Sequence, residues 1–88
     1  MEQRARVIAE QHDCLLIKLQ HGIVGMPDRL FIAPHHPMRL IEFKREDEEP
    51  SPIQLFWHRQ LGRGGHPVMV FDNIEQFRDL IDSLKLRR

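Results

Sequence analysis

Hydrophobic positions fall into separate stretches along the chain, and their spacing predicts seven elements in the order αβββαβα. Loops are expected between them, because segment 20–27 holds two glycines and a proline, and prolines flank His35 and His36. The predicted elements are a helix over 2–12, strands over 14–19, 29–33 and 39–44, a helix over 51–61, a strand over 67–71, and a helix capped by Asp72 or Asn73. This order predicts a small layered α/β fold.

The second helix has the clearest local signals. Ser51 suits the N-cap, Pro52 suits the first helical position, and Gln54 completes a capping box. Gly62 is expected to end this helix. The second and third strands carry apolar residues on both faces, so helices are expected on both sides of the sheet.

Composition limits the class of protein. A chain of 88 residues predicts a single domain over 1–88, and no apolar run approaches the roughly 18–20 residues of a membrane span. The lone Cys14 excludes an internal disulfide and a cysteine-rich zinc site, so the reducing cytoplasm of a bacterial or virus-infected cell is the expected compartment. Large apolar side chains compete for one small core, and a homodimer would cover the surplus.

The charge balance excludes one mode of nucleic-acid binding. Thirteen Lys and Arg match thirteen Asp and Glu, so the chain lacks the excess cation of a histone-like coat. A nuclease remains compatible with this balance, because it needs only a local basic groove beside an acidic metal site. Arginine, which dominates the cations, is well suited to forked phosphate contacts, although genomic composition explains the same bias.

Acidic residues on the second and third strands predict a metal-binding pair. If the turn is centred on His35 and His36, paired residues have numbers that add to about 70–72, and Asp28 lies opposite either Glu42 or Lys44. Two adjacent carboxylates repel each other unless a cation such as Mg²⁺ binds them. Lys44 beside that site suits metal-assisted phosphodiester hydrolysis. The alternative is a structural ion pair between Lys44 and one of the acids.

These residues carry a family resemblance. Gly25-Met26-Pro27-Asp28 followed by Ile41-Glu42-Phe43-Lys44 resembles the signature of the PD-(D/E)XK nuclease superfamily, and the match is closer to its VRR-NUC (virus-type replication–repair nuclease) family. The further positions that resemble this family are Ser51, Gln54, Trp57, Leu61 and Gly65. The resemblance covers nearly the whole chain. It implies a restriction-endonuclease-like αβββαβ core with a mixed central sheet flanked by helices, plus a C-terminal helix.

The resemblance also implies a set of site residues. Asp28, Glu42 and the backbone carbonyl of Phe43 would hold Mg²⁺ or Mn²⁺, with Lys44 as the catalytic lysine. A glutamate of the first helix would join them, and Glu2 matches its position better than Glu10 does. Gln54 would also lie near the site, a role that we expect to conflict with its capping box because one amide would serve both.

Predictions also follow for the surroundings of the site. Lys18, Arg29 and Arg45 are candidates for contacts with DNA phosphates, although an exposed lysine explains Lys18 equally well. His58 and His66 are expected at the surface or in loops. Trp57 is expected to be half buried in the core in preference to stacking on a base. The acidic segment 46–49 would repel DNA and is expected to point away from it.

The predicted function is a metal-dependent DNA endonuclease. Among members of the family, a compact domain resembles the dimeric four-way-junction resolvases, since a two-fold dimer would cut two strands symmetrically. The alternatives are a nuclease of flaps or single strands, a non-catalytic nucleic-acid-binding module that kept the fold, and an interaction domain whose acids only pair with lysine.

Overall fold

The computed structural model describes residues 1–86 and contains the seven predicted elements in the predicted order. Arg87 and Arg88, which belong to the expected domain 1–88, lie outside the described residues. The elements are helix α1 (Glu2–Gln11), strands β1 (Leu15–Lys18), β2 (Arg29–Ile32) and β3 (Arg39–Phe43), helix α2 (Pro52–Arg63), strand β4 (Val68–Phe71) and helix α3 (Ile74–Ser83). In this described range, no helix has the length and hydrophobicity that crossing a membrane requires.

The four strands form one mixed sheet in the order β1-β2-β3-β4. The first three strands are antiparallel neighbours, and β4 is parallel to β3. A parallel pair needs a crossover connection, which α2 supplies here. The predicted α/β class, with a mixed sheet and helices against it, is therefore confirmed.

The hydrophobic core lies on one face of the sheet, beneath α1 and α3. Phe31 of β2 and Phe77 of α3 are fully buried and meet edge to face, with ring centroids 5.6 Å apart. Cys14 is buried at the edge of this core, and burial, together with the charge of Asp13, raises the pKa of its thiol. The thiol is therefore held protonated, which makes it a poor nucleophile.

The opposite face of the sheet is only partly covered. Helix α2 lies over β3 and β4 and has no fully buried residue. On the β1 side of this face, Leu15 and Ile17 are 51% and 38% exposed. The prediction that β2 is buried on both faces is wrong, because one 12-residue helix cannot cover four strands and leaves Leu30 and Ile32 half-buried.

The ends of α2 confirm one prediction and correct another. Ser51 and Gln54 form the complete predicted capping box, with Pro52 at the first turn. The helix does not end at Gly62 but runs on to Arg63, and Gly64 caps it by donating its backbone N–H to the Gln60 carbonyl at 3.1 Å. A glycine inside a helix costs only about 1 kcal/mol, so helical contacts on either side of Gly62 are enough to keep it helical.

Candidate metal and nucleic-acid site

The pairing of β2 with β3 determines which residues meet at the site. Arg29 pairs with Ile41 and Leu30 with Leu40, so the residue numbers of each pair add to 70. Continuing this register by one residue places Asp28 opposite Glu42. Of the two registers that the turn allowed, the one that pairs the two acids is the one observed, and the alternative that sets Asp28 opposite Lys44 is wrong.

Glu42 is a buried carboxylate, with only 8% of the residue exposed. Its Oε2 atom accepts no hydrogen bond, and its closest basic neighbour is Nε2 of His58 on α2, at 3.4 Å. His58 Nε2 is also buried and without a hydrogen-bond partner. The expectation that His58 is a surface residue is therefore wrong. Sequence reasoning had one available signal: His58 lies four residues after Gln54, on the same face of the helix.

Lys44 is joined to α2 through Gln54. The Lys44 ammonium donates a hydrogen bond to Gln54 Oε1 at 2.6 Å, and the Ser51 backbone N–H donates to the same oxygen at 2.8 Å. The expected conflict between capping and a role at the site is wrong, because a carbonyl oxygen has two lone pairs and accepts both bonds. The start of α2 thereby fixes the position of the Lys44 ammonium group.

Asp28 and Glu2 are linked by Arg29. The guanidinium of Arg29 lies 2.7 Å from Asp28 Oδ1 and donates a 2.9 Å hydrogen bond to Glu2 Oε2. The side chains of both acids are about half exposed, whereas that of Arg29 is 12% exposed. Glu10, the alternative acid of α1, makes no ion pair and no side-chain hydrogen bond within residues 1–86. Of the two, Glu2 is therefore the acid that lies beside Asp28.

A groove of about 1120 Å³ runs beside the site, between the N-terminus of α1, the end of β3 and the start of α3. Its cationic lining residues are Arg4, Arg6, Lys18, Arg29, Lys44 and Arg45. All three candidates for phosphate contacts therefore line one groove. Glu46 and Glu48 of the acidic segment also line it.

The donor set fits a hard divalent cation. Glu42 has one buried oxygen with no hydrogen bond, and Asp28 lies across from it with a half-exposed carboxylate. A cation bound by oxygen atoms of both carboxylates would relieve the repulsion between the two acids. No three His, Cys, Asp or Glu side chains cluster in the part of the chain that the structure describes, so the remaining ligands would be backbone carbonyls, water or substrate phosphate.

The loop before Asp28 is held against α2 by two contacts. The half-buried Trp57 donates its indole N–H to the Val24 carbonyl at 3.0 Å. Gly25 has a φ of +81°, and a Cβ atom there would lie 2.8 Å from Cγ1 of Ile53. Trp57 is half buried as predicted but lies outside the hydrophobic core, on the face of the sheet opposite to it. Its hydrogen bond helps to fix the path of the chain into Asp28.

Replacing Gly25 with Ala should therefore lower the free energy of unfolding by about 1–3 kcal/mol. A positive φ is unfavourable for alanine, and the new methyl group would also lie too close to Ile53. Urea denaturation measures the loss. Gly22→Ala is the matched control, since Gly22 has a similar φ of +71° but open space around it. Equal losses in the two variants would contradict the close approach to α2.

Three comparisons relate this chain to known proteins. No profile of a known protein family matches it. It is 41% identical over 52 residues to "Putative nuclease p44" of Acyrthosiphon pisum secondary endosymbiont phage 1, and the match covers 59% of this chain and 56% of that protein. The chain thus spans about half the length of this relative. It is 32% identical to a solved structure described as "VRR_NUC domain", with a TM-score of 0.79, covering 92% of this chain and 90% of that one.

Proposed function

The chain belongs to the VRR-NUC family of nucleases, and from this premise we propose that it is a Mg²⁺- or Mn²⁺-dependent DNA endonuclease that cuts branched DNA as a homodimer. The observation that carries the proposal is the buried carboxylate of Glu42 opposite Asp28, with Lys44 at the end of the same strand and its ammonium held by Gln54. A purely structural ion pair does not account for this arrangement, because Lys44 bonds to Gln54 and makes no ion pair with either acid in residues 1–86.

We assign a separate role in hydrolysis to each residue of the site. Asp28, Glu42 and the carbonyl of Phe43 would hold the cation, and Glu2 would join them once Arg29 turns toward a phosphate. When bound, the cation supplies a water of lowered pKa and neutralises charge on the phosphate. Lys44, oriented by Gln54, donates a hydrogen bond to the attacking water or to the phosphate oxygen on which charge develops.

The groove supplies the contacts that hold DNA. Lys18 and Arg45 are exposed within it and are free to meet backbone phosphates. Arg29 is paired with two acids in the structure, and a phosphate would compete with those carboxylates for its guanidinium. These contacts would be made to backbone phosphates, so binding should weaken as salt rises.

A cleavage assay tests the proposed activity. Single-stranded, duplex, flap, splayed and four-way DNA, each labelled on one strand, are incubated with the protein in Mg²⁺, Mn²⁺ or EDTA. We expect paired cuts on opposing strands of the four-way junction, with no cutting in EDTA. Preferential cutting of flaps or single strands would replace the junction assignment, and binding without cutting in either metal would favour a non-catalytic module.

Surface area supports the dimer. A compact monomer of 10.5 kDa is expected to expose about 5,400 Å², whereas this chain exposes 6178 Å². The uncovered sheet face with Leu15 and Ile17 is the surface we assign to a second copy, because it is apolar and these residues pair with Ile32 and Leu30 of β2.

We expect light scattering at micromolar concentration to give about twice the 10.5 kDa mass of one chain. Ile17→Glu should shift the mass to that of a monomer, because the interface would then bury an unpaired charge. Val7→Glu is the matched control, since Val7 is 44% exposed on α1, and should leave the dimer intact. A wild-type mass of one chain, or a dimer that survives Ile17→Glu, would contradict this interface.

A further inference from the structure

We propose that His58 is a positioning residue for Glu42: it holds one carboxylate oxygen so that the other is presented to the cation. This inference rests on the proposed function, since it requires Glu42 to be a metal ligand. It adds a residue of α2 that is outside the motif residues of the resemblance.

The inference rests on two buried polar atoms that face each other and have no hydrogen-bond partner. Glu42 Oε2 and His58 Nε2 lie 3.4 Å apart, and each is buried without a hydrogen-bond partner. The two side chains are 9% and 15% exposed, so water does not readily replace either partner. Buried polar atoms that lack a partner are rare in proteins, and the spacing is one that a small side-chain movement converts to a hydrogen bond.

A metal-binding role for Glu42 favours a hydrogen-bond donor at its second carboxylate oxygen. A carboxylate that binds a metal through one oxygen commonly accepts a hydrogen bond on the other, which fixes its orientation. Nε2 of His58, when it carries the proton, is a donor placed at Oε2 and leaves Oε1 for the cation. Lys44 does not fill this role, because its ammonium is engaged with Gln54 on the same helix. Helix α2 thus orients both strand residues, Lys44 through Gln54 and Glu42 through His58.

The test measures Mn²⁺ binding by calorimetry in the absence of DNA. His58→Asn keeps a polar side chain but is too short to place a donor at Nε2, whereas His58→Gln carries an amide nitrogen the same number of bonds from the backbone. We expect the Mn²⁺ dissociation constant to rise about 10- to 100-fold for His58→Asn and to return to near the wild-type value for His58→Gln. His66→Asn, at an exposed histidine, is the control and should bind Mn²⁺ unchanged.

Cleavage supplies the second measurement. In His58→Asn, the Mn²⁺ concentration for half-maximal cleavage should rise while the rate at saturating Mn²⁺ stays near wild type, because Lys44 and Gln54 remain in place. Should His58→Asn fail to fold, His58→Leu retains volume without a donor, and loss of Mn²⁺ affinity is again expected.

Two results would overturn the inference. Wild-type Mn²⁺ affinity in His58→Asn or His58→Leu would show that His58 does not position Glu42. Loss of affinity in both His58→Asn and His58→Gln would show that the imidazole ring itself binds the cation. Failure of the proposed function is a separate outcome: in that case the wild-type protein neither binds Mn²⁺ nor cleaves DNA.

Discussion

Replacing Asp28 with Asn should abolish cleavage, by more than about 100-fold, while sparing the fold. Removing a residue that only hydrogen-bonds to a metal ligand already lowers metal affinity or activity about 10- to 100-fold, and Asp28 would be a direct ligand. The ion pair of Asp28 with Arg29 is half exposed on the Asp28 side and contributes little to stability. Loss of the charge also relieves repulsion with Glu42, so the metal-free variant should melt at or above the wild-type temperature.

Melting curves with and without metal give an independent measurement of the same change. At about 100 times its dissociation constant, a bound cation adds roughly 2.7 kcal/mol to the stability of the wild type. Asp28→Asn should lose most of that gain, whereas Asp79→Asn, at an exposed acid of α3, should retain it. Cleavage by Asp28→Asn near the wild-type rate would contradict the assignment of Asp28 as a metal ligand.

Lys44→Ala should lower the single-turnover cleavage rate by about 10²- to 10³-fold, the usual effect of removing one donor that stabilises developing charge. Mn²⁺ affinity should change little, because the ammonium group is not a ligand. The fold should persist, since Gln54 Oε1 still accepts the bond from the Ser51 N–H and the capping box stays closed.

The control for Lys44→Ala is Arg59→Ala, which removes an exposed cation from α2 and should leave both rate and metal affinity unchanged. The opposite pattern, with Mn²⁺ affinity lost and the cleavage rate preserved at saturating metal, would show that Lys44 supports the metal site and takes no part in the hydrolysis.

The sequence was most informative where structure depends on neighbouring residues. Ser51, Pro52 and Gln54 form the start of α2 as predicted, because a capping box is closed by residues three apart. The strand register was limited to two choices by the turn around His35, whose φ of +64° belongs to a conformation that the sequence alone does not reveal. The geometry of this turn therefore determines that Asp28 lies opposite Glu42 and not opposite Lys44.

The predictions that proved wrong concern residues whose burial depends on where a whole helix packs on the sheet. Periodicity predicts that α2 exists, but it does not say which strands the helix covers, so the partial exposure of Leu30 and the buried Nε2 atom of His58 were both missed. The dual role of Gln54 was missed for a different reason. Its oxygen accepts bonds from the capped backbone and from Lys44 together, which requires the end of β3 to lie beside the first turn of α2.

The absence of any fully buried residue in α2 has a consequence for how activity responds to denaturing conditions. In an isolated protomer, local opening is least costly where few apolar contacts must break, so α2 should detach before α1 and α3 leave Phe31 and Phe77. Its amides should accordingly exchange with solvent faster than those of α3. Because α2 orients Lys44 and contacts Glu42, hydrolysis should cease while the core remains folded, and inactivation would be reversible when the helix docks again.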